Sequence, residues 1–269
     1  MTSSLRLIWA FLRRDFEIAS SYRAYFFFSV ANSVVTLAVF YFLSKTIGTS
    51  TAFAQKYGSD YFSFALIGVA IGGCLRTLQS SFSLKLREAQ VDGSLEALLA
   101  SPLSTSGVIG HLALYPAWVG LFRSTLLVTA GKFIFGAHLQ LNGRSLALSV
   151  LGSVSVFAAL GLISAAFVLI FKRADPFNYA LDGAAYLLSG MVYPIEVLPP
   201  FLQTVSRCLP TTYAVSALRA AALHDANLAS LWKPLLMLAL FSLGLWPLAV
   251  LGLNFARRQA EQSGSLPHA

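Results

Sequence analysis

Four charged side chains fall inside stretches of sequence that are otherwise apolar: Arg76, Arg123, Lys132 and Asp182. A charge near the bilayer centre costs at least about 2.5 kcal/mol on insertion scales, so it should face a cavity, an opposite charge or a subunit interface. We expect Asp182 to pair with Arg76 or Arg123, and the remaining cation to face an anionic substrate group or a lipid headgroup. Lys132 is expected to extend its ammonium group to the nearer headgroups.

Other residue patterns that carry chemistry are missing from the sequence. No Gly-x-x-x-x-Gly-Lys-[Ser/Thr] phosphate loop occurs, and the only Gly-Lys pair, Gly131-Lys132, lies in an apolar stretch. There is no His-Glu-x-x-His zinc motif and no rhomboid-type serine motif. Cys74 and Cys208 have neither disulfide-framework nor metal-ligand spacing. The sequence therefore predicts no catalytic residue, metal site or cofactor site in this chain, and any ATP chemistry must take place on another chain.

The composition indicates a membrane protein. Hydrophobic residues make up 57% of the 269 residues, charged residues only 11%, and the mean hydropathy is +0.70. A soluble core of this size cannot hide so many apolar side chains. The net charge of +8 is explained by basic residues that flank membrane spans and contact anionic lipids, so we expect no nucleic-acid partner.

About six stretches are apolar and long enough to enter a hydrocarbon core of about 30 Å. They cover residues 24–44, 61–84, 108–135, 145–171, 176–193 and 234–255, of which the fifth is shorter and contains Asp182. The predicted fold class is an all-α integral membrane protein. We expect a single transmembrane domain over residues 1–269, with a six-span region at 24–256.

Charge asymmetry predicts the orientation. Ten Lys and Arg residues lie on the side that holds both termini, and six lie on the other side. Both termini should therefore be cytoplasmic. Residues 1–23 alternate apolar and basic positions at helical spacing, which predicts an interfacial amphipathic helix. Residues 257–269 are expected to form a cytoplasmic tail.

A short polar-capped helix is predicted in the cytoplasmic loop between the second and third spans. Asp92 or Ser94 can cap its start, and Pro102 ends it. Its apolar face consists of Leu95, Leu98 and Leu99. A helix of about two turns is not stable alone, so it must rest on a surface. That surface is either the protein's own span ends or a groove in a separate soluble subunit.

A proline-rich segment separates the last two spans. Prolines at 194, 199, 200 and 210 break the helix, so the chain should leave the fifth span early. We expect short apolar helices around 201–208 and 211–223. They are too apolar for a solvated loop, which predicts re-entrant or surface-lying helices in the outer leaflet.

Three blocks of sequence, in this order, resemble ABC-2-type transporter permeases. They are Gly-Ser-Leu-Glu-Ala-Leu-Leu-Ala-Ser-Pro-Leu-Ser at 93–104, Ser-Gly-Met-Val-Tyr-Pro-Ile-Glu-Val-Leu-Pro at 189–199 and Leu-Pro-Thr-Thr-Tyr-Ala at 209–214. The resemblance implies a six-span half-transporter that dimerises and pairs with two ATP-binding subunits. ATP and Mg would be bound by those partner subunits.

The resemblance and the residue patterns together assign three sets of site residues. The coupling helix that contacts the ATPase would include Asp92, Gly93, Ser94, Leu95, Glu96, Leu98, Leu99 and Pro102. The translocation path would include the intramembrane charges Arg76, Arg123 and Asp182. The extracellular gate helices would include Gly190, Pro194, Glu196, Pro199, Pro210 and Tyr213.

The expected function is the permease subunit of an ATP-driven exporter in a prokaryotic inner membrane, with membrane lipids as neighbours. Its cargo would be an amphiphile, a drug-like molecule or a lipid-linked glycan. The alternative is an ATP-independent channel or ion carrier, which would show continuous polar stripes, whereas the sequence shows isolated charges. The cargo, the direction of transport and the choice between homodimer and heterodimer stay open.

Overall fold

The computed structural model describes residues 13, 23–47, 60–93, 105–171 and 175–262. Within these ranges the chain is helical and contains no strand, apart from turns and short connections. The helices are α1 (Arg23–Ile47), α2 (Tyr61–Val91), α3 (Thr105–Phe133), α4 (Gly143–Phe171), α5 (Asp175–Leu188), α6 (Pro200–Arg207), α7 (Pro210–Leu223) and α8 (Trp232–Gln262). A single 3-10 turn, Ile195–Val197, precedes α6.

Four of these helices, α2, α3, α4 and α8, are long and apolar enough to cross a membrane. The 25-residue α1 covers the predicted first span and contains the apolar stretch Val34–Thr46. The all-α membrane fold class is therefore confirmed. The last helix runs to Gln262, so the predicted tail starts inside α8, and residues 263–269 lie outside the described part. The predicted interfacial helix over 1–23 falls almost wholly outside the described residues.

The fifth apolar stretch forms a shorter helix than its sequence predicted. The prediction ran to Tyr193, but α5 ends at Leu188 after 14 residues. At about 1.5 Å per residue it spans about 21 Å, too little to cross a core of about 30 Å alone. The helix ends because Gly190 adopts a φ of +74°, which turns the chain back, and the Tyr193 hydroxyl donates to the carbonyl oxygen of Leu187.

Helices α2 and α4 form the centre of the bundle. In their most apolar windows 61% and 56% of the residues are buried, against 17% in α3 and 11% in α8. Large side chains such as Phe122 on α3 and Leu243 on α8 are instead exposed. In a bilayer such surfaces meet lipid, since every backbone polar group of a helix is already satisfied internally.

The two short helices predicted around 201–208 and 211–223 are present as α6 and α7. Helix α7 packs on α2, α4 and α8, and most of its residues are buried. The segment that joins α3 to α4 is bonded to its end: Gln140 N donates to Ala222 O at 3.0 Å, and Asn142 N donates to Ala221 O at 2.9 Å. Helix α7 is therefore covered by protein, whereas α6 is mostly exposed and only Ser206 of its residues is buried.

The turn after α5 lies directly against α2. A Cβ atom added at Gly68 would lie 1.8 Å from the carbonyl oxygen of Met191 and 2.6 Å from Nη2 of Arg219. At Gly72, one turn along, an added Cβ would lie 2.4 Å from the sulfur of Met191. The two glycines leave a flat surface on α2, and the backbone of the turn occupies it.

This close approach predicts that Gly68→Ala destabilises the fold. The backbone carbonyl of Met191 has to move, so we expect a loss of about 1–3 kcal/mol, the usual cost of overpacking. Thermal unfolding of the purified chain in detergent measures the change. Gly73→Ala is the matched control, because an added Cβ there has no heavy atom within 4 Å. Equal melting temperatures for the two variants would show that the turn does not press on α2.

Candidate functional site

An ion pair joins α2 to α5 at the midpoint of the 31-residue α2. Nε of Arg76 lies 2.8 Å from Oδ2 of Asp182. Of the two pairings expected for Asp182, the structure therefore has the one with Arg76. The Arg76 side chain is 60% exposed and that of Asp182 is 17% exposed. The pair lies at the edge of the bundle, and the Arg76 side chain is accessible from outside the chain.

A buried amide holds α5 in place beside this pair. Nδ2 of Asn178 donates to Oγ of Ser83 on α2 at 3.0 Å, and Oγ of Ser164 on α4 donates to Oδ1 of Asn178 at 2.7 Å. Asn178 and Asp182 are four residues apart, so they lie on one face of α5. Asn178, Ser83 and Ser164 were not predicted from the sequence as site residues. The spacing of Asn178 from Asp182 is the signal that could have singled out Asn178.

Two cavities, each of about 490 Å³, flank Arg76. The first cavity lies between α1, α2 and α3, and the second lies between α2, α4, α5 and α7. Arg76 lines both of them. The intramembrane charges that the sequence singled out are therefore brought to one region, with Arg123 on the first cavity and Asp182 on the second.

The first cavity is more polar than the second and has cations on its walls. Arg123 is half-buried on its α3 wall, and Lys85 and Glu88, which form an ion pair at 2.6 Å, lie on its α2 wall. Oγ of Ser124 donates to Ala70 O at 2.7 Å, which fixes α3 against α2 beside Arg123. Lys132 is exposed at the end of α3 and does not line the cavity.

The second cavity combines aromatic rings with few polar groups. Phe157, Tyr179 and Tyr186 line it together with the Arg76–Asp182 pair. Gln79 also lines it; its side chain is 4% exposed, and its Nε2 has no hydrogen-bond partner among the described residues. An apolar cavity with a few placed polar groups suits an amphiphilic molecule.

Only two of the predicted coupling residues, Asp92 and Gly93, are described, and they lie where α2 ends. Asp92 caps the end of α2: its N–H donates to Glu88 O at 2.9 Å, and Gly93 follows with a φ of +68°. Asp92 thus ends a helix, whereas the sequence analysis offered it as the start of one. The other predicted coupling residues, Ser94, Leu95, Glu96, Leu98, Leu99 and Pro102, lie outside the described residues.

The predicted gate residues lie at the opposite end of the bundle from Asp92, where α2 ends. Pro199 directly precedes α6, and Pro210 is the first residue of α7. The Tyr213 hydroxyl donates to Arg207 O at 2.8 Å. Pro194 precedes the 3-10 turn, which contains the exposed Glu196. Gly190 lies in the turn after α5. The prolines thus correctly predicted where the short helices begin.

Arg219 on α7 is a feature of this end that the sequence analysis missed. Its Nη2 donates to Met191 O at 2.9 Å and to Phe64 O at 3.3 Å, and its guanidinium lies 3.5 Å from the centre of the Phe64 ring. Burial lowers the pKa of Arg219 to about 9, opposed by the charge of Glu196, so the side chain stays protonated at neutral pH. The cation ties α7, the turn after α5 and α2 together.

The ion pair predicts a pattern of rescue. Asp182→Asn leaves Arg76 without the carboxylate, and Arg76→Gln leaves the half-buried carboxylate without its cation, so each single variant should lower the melting temperature of the detergent-solubilised chain. The double variant Arg76→Gln/Asp182→Asn should recover most of the loss. The coupling energy of the cycle should be about 1–3 kcal/mol, as for hydrogen bonds to charged groups. Additive losses would show that the two residues do not interact in the folded chain.

Comparison with known proteins places these features in a family. The sequence profile described as "ABC-2 type transporter" matches residues 6–223. The chain is 23% identical over 187 residues to the inner membrane transport permease YadH of Escherichia coli (strain K12), a match that covers 69% of this chain and 72% of that protein.

Two further relatives cover smaller shares of their own length. The chain is 28% identical over 172 residues to "Probable multidrug ABC transporter permease YbhR" of Escherichia coli (strain K12), which covers 63% of this chain and 43% of that protein. It is 29% identical over 179 residues to ABC transporter G family member 20 of Dictyostelium discoideum, which covers 64% of this chain and 24% of that protein.

The profile match spans α1 to α7, and thus the ion pair, both cavities and the buried Arg219. In stand-alone permeases of this kind the ATPase activity belongs to a separate ATP-binding subunit, in agreement with the missing phosphate loop. The chain belongs to the ABC-2 type transporter family, as a transmembrane permease subunit that is not catalytic by itself.

Proposed function

We propose that this chain forms the translocation path of an ATP-driven exporter for an amphiphilic, drug-like or lipid- or glycan-type substrate. The observation that carries the proposal is the Arg76–Asp182 pair, with a guanidinium exposed at the midpoint of a span. Contact of that group with lipid tails would be costly, so the face that bears it must meet a polar path or another subunit. The aromatic and polar lining of the second cavity suits an amphiphile.

The second subunit in this proposal is another copy of the same chain. Exposed residues of α5, among them Tyr179, Gly183 and Tyr186, continue the face that carries Arg76. Two copies related by a two-fold axis would present this face to each other, as isologous interfaces do. The path would then run between the copies and beside both ion pairs.

The ATP-binding partner acts through the segment that contains the predicted coupling helix. This segment begins where α2 ends, at Asp92, and finishes where α3 begins, at Thr105. Both helices line the first cavity and carry its cations. A push on the segment by the ATPase would move α2 and α3 at Arg76 and Arg123. Since α2 also touches Met191 and Arg219, the same movement would reach the gate residues.

We place the protein in the plasma membrane of a prokaryote with both termini in the cytoplasm. The relative YadH carries the name of an inner membrane permease. The excess of Lys and Arg on the side of the termini favours this orientation. The 94–104 segment then faces the cytoplasm, where ATP is available, and α6 and α7 face outward.

Cysteine crosslinking tests the homodimer. In a chain with Cys74→Ala and Cys208→Ser, a single Gly183→Cys should form a crosslinked dimer in membranes, because it adjoins the proposed two-fold face. Gly244→Cys on α8 is the matched control, since both glycines are exposed and an added Cβ at either has no heavy atom within 4 Å. A dimer through position 244 alone, or through neither position, would contradict the proposed interface.

The coupling role is tested by placing charges on the leucine face. Leu95→Glu/Leu98→Glu should abolish co-purification of the ATP-binding subunit, or its stimulated ATP hydrolysis, while the permease still inserts in the membrane. The reason is that burying a carboxylate in an apolar groove is costly.

Ala97→Glu is the control for this experiment, because at helical spacing position 97 falls opposite the leucine face. It adds the same type of charge and should retain the ATPase. A correctly inserted double variant with full partner binding and full ATPase stimulation would overturn the coupling role. Absence of any ATPase from the wild-type complex, with crosslinking in membranes to exclude dissociation, would favour an ATP-independent channel or carrier.

A further inference from the structure

One buried side chain on the wall of the second cavity has an unused hydrogen-bond donor. Gln79 on α2 is 4% exposed, and its Nε2 has no hydrogen-bond partner among the described residues. Two other buried polar atoms of the described chain have no such partner, Oδ1 of Asp60 and Nε of Arg219, but neither residue lines either cavity. A buried amide without a partner is costly, and an acceptor brought into the cavity would remove that cost.

The polar groups that follow Gln79 on α2 are already engaged with other partners. Oγ of Ser80 donates to a backbone carbonyl of its own helix at 2.9 Å. Oγ of Ser83 donates to Ser80 O at 3.0 Å and accepts a hydrogen bond from Asn178. Helix α4 packs closely at the same level, since a Cβ added at Gly161 would lie 3.0 Å from Gln79 O. The space for a further partner is therefore on the cavity side.

The described lining of the second cavity carries no net charge. Its charged residues are Arg76 and Asp182, and their side chains form the ion pair at 2.8 Å. A charged ligand would have to lose its hydration and compete with this pair, both of which are costly in a largely apolar space. An uncharged ligand leaves the pair intact. The lining therefore favours an uncharged ligand.

The rest of the wall suits an apolar body. Phe157 lies on the α4 side, Tyr179 and Tyr186 on the α5 side, and Leu75 and Met191 complete the apolar surface. Aromatic rings offer large flat contact areas, and the thioether of methionine adapts to irregular shapes. The volume of about 490 Å³ lies within the range of about 300–1,000 Å³ that is usual for small-molecule sites.

We infer that the second cavity binds an uncharged amphiphile through an acceptor oxygen, such as a carbonyl, that accepts a hydrogen bond from Nε2 of Gln79. The last side-chain torsion of glutamine is broad, so the amide can turn toward a ligand at little cost. A glycan, with its many hydroxyl groups, and an anionic lipid fit this wall less well. The inference rests on the proposed function and narrows its substrate class, with Gln79 as the residue that determines specificity.

Photolabelling with benzophenone tests the inference on the full-length chain in an uncharged detergent. Benzophenone has two rings, one acceptor oxygen, no donor and no charge. On illumination it should attach to side chains of the second cavity, Leu75 and Met191 among them, and mass spectrometry of peptides identifies the labelled residues. The concentration at which labelling saturates gives the dissociation constant. Unsaturated labelling spread over exposed faces such as that of α8 would show partition into the micelle only and would overturn the inference.

A matched pair of variants tests the amide. Gln79→Leu removes the donor and keeps a side chain of similar size, so it should weaken benzophenone binding by about tenfold. Gln90→Leu makes the same change on the same helix, outside both cavities, and should leave the dissociation constant unchanged. Equal affinities of the wild-type chain and Gln79→Leu would overturn the role of Gln79.

Two analogues of benzophenone test the oxygen and the charge. Diphenylmethane has the same rings and no oxygen, so as a competitor it should bind Gln79→Leu at least as tightly as the wild-type chain. Comparing the two chains cancels the uptake of each compound by micelles. The anion para-benzoylbenzoate should bind the wild-type chain at least about tenfold more weakly than benzophenone. Weaker diphenylmethane binding by Gln79→Leu, or equal binding of the anion, would contradict an uncharged ligand held through its oxygen.

The melting temperature of the ligand-free chain distinguishes a ligand-binding amide from a structural one. Because Gln79→Leu removes a buried donor that has no partner, it should leave the melting temperature unchanged or raise it. A marked fall would show that the amide is bonded within the folded chain and would overturn the inference. None of these measurements requires ATP, the ATP-binding subunit or a dimer. Failure of this inference is therefore separate from failure of the proposed function, which ATPase co-purification and crosslinking report.

Discussion

The cost of a charge in the middle of a bilayer is the constraint on which the arrangement of this bundle depends. Arg76 is at the midpoint of α2, and α5 brings Asp182 to within 2.8 Å of it. Helix α5 is too short to cross the membrane, so it cannot be anchored by its length. The Asn178 bonds to α2 and α4 hold it instead. The ion pair in turn separates the two cavities, and its exposed side requires a polar neighbour.

Helix α2 connects the three regions that the sequence singled out. Its last residues adjoin the predicted coupling segment, its midpoint carries the ion pair, and its first half supports the turn after α5 through Gly68. Seventeen of its residues are buried, so it is packed along most of its length. A helix packed in this way moves as a rigid body rather than bending locally. This is the physical basis for proposing that movement at the cytoplasmic end reaches the gate residues.

Much of this could be read from the sequence, because local rules decide it. Hydropathy predicted the long helices, and the proline positions predicted the starts of α6 and α7. The cost of a charge inside the membrane predicted that Asp182 pairs with one of two arginines. The partners of Asn178 and the contact of Gly68 with Met191 could not be predicted, because these contacts join separate elements of the chain. Arg219 was only one of the six cations counted on the side away from the termini, since nothing local shows that α7 is buried. The role of the 94–102 residues stays a prediction.

The two arginines that contact the core differ in how their charge is compensated, and the difference bears on mechanism. Arg76 has a carboxylate partner on a side chain, which can rotate with it. Arg219 is bound by the backbone carbonyls of Met191 and Phe64 and by the face of the Phe64 ring. If Met191 moved away from α2, a buried guanidinium would lose its best acceptor, at a cost of about 1–3 kcal/mol. The gate turn and α2 should therefore move together, while the Arg76–Asp182 contact can adjust between them.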